Sequence, residues 1–229
     1  MFEALQFIER SIEIDPHYGQ ALSWAAICHM RLVIDGWTEH PEKTRDKALD
    51  FARRALEVAQ NDPATLANAV HVLTTFDEDI GTMTALIDRA LAFNPSFARG
   101  WYVSGMIRNF SGDHDLAIEH LETSLRLSPR EPVGSLLVNI GMAHFFKRRF
   151  SQAVPKLLLA IQESPGHPTA YRVLASCYAH MDQLDDAHAV VAKLRAITGR
   201  VVADDTRLRL PEDRELYLSG LRLAAGGTV

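Results

Sequence analysis

The chain has 229 residues, 47% of them apolar and 23% charged, with a net charge of −5. That balance is ordinary for a globular protein and gives no electrostatic reason to expect nucleic acid or an anionic membrane surface as partner. No apolar run approaches the roughly 18 residues needed to cross a bilayer, and acids interrupt the apolar pattern of the first helix, so the start does not read as a secretory signal.

In chain order the apolar spacing predicts eleven helices, over 2–14, 19–34, 42–60, 64–77, 81–93, 97–110, 114–127, 132–147, 151–163, 168–181 and 184–197. Every second one carries the same triplet at i, i+4, i+7: Ala4/Ile8/Ser11, Ala48/Ala52/Ala55, Met83/Ile87/Ala90, Ala117/Leu121/Ser124, Ala153/Leu157/Ala160 and Ala187/Val191/Leu194. After a first gap of 44, successive copies start 35, 34, 36 and 34 residues apart. A fixed period near 34 predicts a stack of helix pairs. The helix before each of the last five triplets has its own pattern: Leu22/Ala25/Ala26/His29, Ala69/Val72/Leu73/Phe76, Trp101/Ser104/Gly105/Arg108, Leu137/Ile140/Gly141/His144 and Tyr171/Leu174/Ala175/Tyr178. Pro16, Pro63, Pro95, Pro129 and Pro165 are expected to close the pairs, because proline cannot continue a helix. Gly199 stands where the next proline would fall. Asp113, Ser151 and Asp182 are candidate helix caps, and residues 33–41 an enlarged turn. Cys28 and Cys177 fall in equivalent places of distant repeats, which predicts free thiols and a reducing cytoplasm.

These patterns resemble the tetratricopeptide repeat, W-x2-L-G-x2-Y followed by A-x3-F and P. The best copies are residues 101–108 with Ala117, Leu121 and Pro129, and residues 171–178 with Ala187 and Val191. The resemblance implies an all-α, right-handed superhelical solenoid of antiparallel helix pairs, about five and a half repeats long, with a C-terminal helix. The expected divisions are a half repeat at 1–16, repeats at 17–63, 64–95, 96–129, 130–165 and 166–199, and an extended segment with a capping helix at 200–229. The array opens on a second helix, so the natural protein is expected to extend upstream; the alternative is a true start covered by a dimer partner. Pro211 with its adjacent acids marks the start of the last helix, in which Leu216, Tyr217, Leu221 and Ala224 are expected to face the last repeat. Residues 211–224 are also similar to the C-terminal end of α-proteobacterial signalling proteins. In those, a class III adenylate/guanylate cyclase or a winged-helix domain precedes tetratricopeptide repeats.

No signature of chemistry is found. There is no H-E-x-x-H, no Cys–His cluster, no P-loop, no dinucleotide-binding glycine pattern and no nucleophile elbow, so no catalytic residue, cofactor or metal is expected. The ten histidines read as packing or surface residues, and the basic run at 147–149 as a solvated turn. The first helices are expected to line a concave face. Its residues include Ser23, Ile27, Val70, Asp77, Arg99, Tyr102, Met106, Asn109, Val138, Met142, Phe145, Phe146, Arg172, Ser176 and His180. Its Met- and aromatic-rich centre suits a protein or peptide ligand, although Phe145 and Phe146 are as well explained by core packing. The expected function is therefore a non-catalytic interaction scaffold within a larger signalling protein. The alternative is self-association through the half repeat or the last helix, and a third reading is an enzyme on a repeat scaffold.

Overall fold

The computed structural model describes residues 2–34, 36–59, 62–76, 79–130, 133–203, 205 and 207–227. Among the described residues there are twelve helices and no strand. They are α1 (Phe2–Ile14), α2 (Gly19–Ile34), α3 (Pro41–Val58), α4 (Pro63–Thr75), α5 (Ile80–Phe93), α6 (Ala98–Ser111), α7 (His114–Leu127), α8 (Gly134–Phe146), α9 (Phe150–Glu163), α10 (Pro168–His180), α11 (Leu184–Ile197) and α12 (Pro211–Ala224). The expected helix ends at 60 and 77 and the expected start at 132 lie outside the described residues, as does Asp77. Pro63 opens α4 instead of closing the pair before it. Proline suits the first helical position, where its missing N–H needs no partner and its fixed φ is already helical. Asp62 caps that helix by accepting from Ala64 N, and Asp79 caps α5 by accepting from Thr82 N at 2.7 Å. Asp113 precedes α7 but its side chain makes no cap bond, and Ser151 lies inside α9.

Two compact units divide the chain, residues 1–104 and 105–229, with the boundary inside α6. In the first, α2 packs on α1, α3 and α4, and α4 on α3 and α5. On α3 the second-helix triplet is all alanine, with Ala48, Ala52 and Ala55 fully buried between α2 and α4, whereas the α5 copy buries Met83, Ile87 and Ala90. The α1 copy behaves differently. Ala4 is exposed and Ile8 and Ser11 are half-buried, while Leu5 and Ile12 are buried. Among the described residues α1 packs on α2 alone, so only one of its faces is covered. The enlarged turn before α3 leaves Trp37 exposed and is tied by Trp37 N donating to Leu32 O at 2.9 Å.

In the second unit α8 packs on α7, α9 and α10, and α10 on α9 and α11. The buried triplets are larger here, with Leu121, Leu157 and Leu194 at or near zero exposure. Each large residue needs a socket. A Cβ at Gly105 would stand 2.5 Å from Leu121 Cγ, and one at Gly141 would stand 2.7 Å from Leu157 Cγ, so only glycine admits the leucine. The turns inside pairs repeat one geometry. Asp113 N donates to Arg108 O, Arg149 N to His144 O and Gln183 N to Tyr178 O, each at 2.9 Å, and the residue before each donor has positive φ. This is the six-to-one closure of a helix C-terminus, normally built on glycine. Gly112 supplies it once (φ 91°), but Arg148 (φ 55°) and Asp182 (φ 60°) supply it in the next two turns. Asp182 therefore ends α10 instead of capping α11. The basic run at 147–149 is tied to the neighbouring repeat: Lys147 donates to Asp115, and Arg149 lies 3.9 Å from it. The Lys147 hydrogen bond, above all, holds the Asp115 carboxyl below its usual range.

Candidate interaction face

The repeat period puts equivalent first-helix positions in register: 102/138/172, 106/142/176 and 110/146/180. In the second unit this stripe is covered. Met106, Asn109, Val138, Met142 and Ser176 are all buried, against the expectation that they line an open face, and Phe145 is buried as its core alternative has it. Their covers differ. Asn109 Nδ2 donates to Asn139 O at 2.8 Å. Phe145 sits among the rings of Phe146, Phe150 and His180. The α10 positions are covered by the chain's own C-terminal segment.

That segment contacts α10 at three stripe positions and reaches the end of α6 and the start of α7. Near the start of α10, Arg172 donates to Val201 O (3.1 Å) and Arg200 O (2.7 Å), and burial pulls its pKa below the usual arginine value. At the end of α6, Arg209 N donates to Phe110 O, and the Arg207 guanidinium lies 4.7 Å from the Phe110 ring centroid. Leu210 fills the space beside Gly112. Helix α12 then begins. Asp213 Oδ2 meets His114 Nε2 at 2.8 Å with both side chains buried, and the His114 ring stacks on Phe146. Further along, His180 Nε2 donates to Leu216 O at 2.8 Å and Ser176 Oγ to Tyr217 O at 3.3 Å. Gly220 lies against both, since a Cβ there would stand 2.8 Å from Ser176 Cβ and from His180 Nε2. Helix α12 thus packs on the first helices α10 and α8, with Leu216, Tyr217, Leu221 and Ala224 buried.

In the first unit a second group forms on α2, α4 and the first turn of α6. Arg99 Nε donates to Asn68 Oδ1 at 2.6 Å, and another of its nitrogens lies 3.3 Å from His71 Nδ1. Arginine has only donors, so Nδ1 is the acceptor. The guanidinium lies 5.6 Å from the Trp24 ring centroid, a cation–π distance, and Trp24 is 47% exposed. Tyr102 meets the His71 ring edge-on at 5.7 Å, and Asn68 Nδ2 donates to the buried Ser23 at 3.3 Å. Arg99, Tyr102 and His71 are half-buried. Periodicity places Arg99 and Tyr102 on the expected face but not Trp24, Asn68 and His71, which lie off the stripe it defines. An exposed tryptophan and an asparagine on an apolar helix face were the signals available.

Among the described residues no three His, Cys, Asp or Glu side chains are placed to hold a metal ion, and no helix is long and apolar enough to cross a membrane. Burial raises the thiol pKa of Cys28 and pushes that of Cys177 up to about 12.

Tetratricopeptide repeat family models match residues 98–131 and 147–200. No curated protein sequence matches significantly. Several solved structures share the fold. YrrB, described as a TPR protein with an unusual peptide-binding site, is 17% identical, with 84% of this chain and 92% of that one covered and a TM-score of 0.51. A chain of the APC/C hetero-tetramer Cut9–Hcn1 is 17% identical with a TM-score of 0.70; 96% of this chain is covered, but only 39% of that one. Human IFIT1, solved as a dimer with m7Gppp-AAAA, is 20% identical with a TM-score of 0.67, covering 84% of this chain and 46% of that one. At such identities the likeness concerns the fold. Repeat matches set in an all-helical solenoid fold thus establish that this chain carries tetratricopeptide repeats.

Proposed function

We propose that the chain is a non-catalytic scaffold that holds a protein or peptide against its first-helix faces. The observation that carries this reading is the Arg99 group. A guanidinium fixed by Asn68 and His71 beside a half-exposed indole is a preorganised cationic and aromatic contact. It suits a peptide with an acidic side chain next to an apolar one. Arg99 and Tyr102 are the anchors in the first unit; Arg172 and Ser176, beneath the C-terminal segment, and Met106, Asn109, Val138, Met142 and Phe145 on the neighbouring first helices form a second surface. The peptide-binding site described for YrrB, on a similar fold, supports the same class of ligand here.

The test is a phage-displayed random-peptide selection against the full chain, with enriched clones re-measured on Trp24→Ala and Arg99→Ala. Acidic clones that lose at least tenfold in affinity on both variants are expected. Clones indifferent to both would sink the reading. The likeness of residues 211–224 to bacterial signalling tails supports a place at the end of a cyclase- or winged-helix-bearing protein in a reducing cytoplasm. Immunoblotting native cells should then show a band well above 25.5 kDa, and a 25.5 kDa band overturns that placement. Exposed Phe2, Phe7 and Ile14 on α1 favour self-association as the second reading, which a monomer in light scattering at high concentration would remove.

A further inference from the structure

We infer that the C-terminal segment ending in α12 is a tethered occupant of a helix-binding seat, and that the partner this seat takes is an amphipathic helix with an acid in its first turn and a glycine seven residues later. The seat is the first-helix stripe of the second unit. Arg172, Ser176 and His180 occupy one line of α10 at i, i+4 and i+8, and the segment contacts all three. It also reaches back to Phe110 and His114, a sequence separation of 99 residues in the His114–Asp213 contact. A helix that only closed the array would lie mainly on α11. This one lies mainly on α10 and only touches α11 and α8.

The contacts state what the seat demands. Asp213 answers the buried His114. Leu216, Tyr217, Leu221 and Ala224 fill the apolar floor. Gly220 permits the close approach to Ser176 and His180. All lie on one helix face, at i, i+3, i+4, i+7, i+8 and i+11 from Asp213. The pattern is D-x2-L-Y-x2-G-L-x2-A, and any helix that carries it fits. Several seat contacts end on backbone oxygens of the segment, namely those of Arg200, Val201, Leu216 and Tyr217, so they do not depend on its side chains. A tether also makes the occupant a competitor at an effective concentration of about millimolar. If the segment is seated about 99% of the time, an incoming helix binds about a hundredfold more weakly than to the open seat. This inference rests on the scaffold reading, but its test follows the segment alone, so the Arg99 selection can fail while this succeeds.

The experiment uses the full chain and its Gly220→Leu variant, with a fluorescent synthetic peptide of residues 207–227 as probe. Anisotropy should show the peptide binding the variant at least tenfold more tightly than the unaltered chain. A peptide carrying Gly220→Leu should bind neither. Hydrogen exchange should quicken across 211–224 in the variant while α7 to α11 keep their protection. A designed helix that keeps only the six pattern residues should compete with the probe. If Gly220→Leu fails to fold, a chain with a protease site inserted after the exposed Val202, folded and then cut, gives the same reading. Its freed segment should exchange with the probe. The inference is overturned if α12 stays protected, if its release melts α7 to α11, or if the designed helix does not compete. A variant that forms dimers with α12 still protected also overturns it, because the seat would then take a second copy's segment.

Discussion

One triplet from each unit, that of α3 in the first and that of α9 in the second, fills the same position in opposite ways. In the first, the α3 triplet is three alanines, fully buried, and the inner-face cluster around Arg99 is polar, aromatic and half-open. In the second, Leu121 and Leu157 of the triplets sit against Gly105 and Gly141, and α12 covers the inner face of α10. Small residues bring helices close with little side-chain volume to lose, whereas leucine in a glycine socket concentrates packing at one point. The alanine arrangement is damaged by adding atoms; the leucine one is damaged by removing them from the leucine or adding them to its glycine socket.

The largest expected effect follows from that contrast. Leu157→Ala leaves a cavity facing Gly141 and should cost about 2–5 kcal/mol in denaturant unfolding. Ala52→Leu adds volume where none is free and should cost about 1–3 kcal/mol. If the two costs exchange order, the contrast between the units is wrong. The next effect is pH-dependent and belongs to the second unit. Burial first, then Arg149 and Lys156, pulls the His144 pKa below the ordinary histidine value, with Glu122 opposing. The unfolded chain therefore binds more protons than the folded one as pH drops below about 6.5, so stability falls with pH there. His144→Gln should flatten the decline in Tm between pH 7 and 5.5, and an unchanged slope would assign it elsewhere. His29 in the first unit is shifted the same way, chiefly by burial, so only the double variant should remove both contributions. The smallest effect is chemical. With its pKa near 12, Cys177 carries about one thiolate in ten thousand at pH 8, so iodoacetamide should label it more slowly than Cys28 in the native protein. Faster labelling of Cys177 would mean that the second unit opens more readily than the first.

The helices were legible because the triplet repeats local information: a small residue, a large one four later and another three later specify a buried face wherever they occur. The covering of the face was not, because His114 and Asp213 are 99 residues apart and nothing local to either announces the other. Periodicity correctly places Ser176 and Met142 on the inner stripe, yet it cannot say whether water or the chain itself lies above them. The turns divide in the same way. Asp62 and Asp79 cap helices as aspartates before helices usually do. Asp182, which looks like a cap, instead takes a left-handed conformation fixed by the preceding helix. Arg148 does so with nothing in its residue type to suggest it.

Gly105 against Leu121 and Gly141 against Leu157 are one joint made twice. Joints that interchange allow length to change by copying: residues 105–140, spliced in again before Gly141, would place each glycine opposite a leucine it already fits. The segment ending in α12 has no such freedom. It runs from Gly112 to Ser176, a span set by a fixed number of repeats, and one more would leave it short. The number of repeats between α6 and α10 is therefore set not by the joint but by the strap across them, which acts as a ruler.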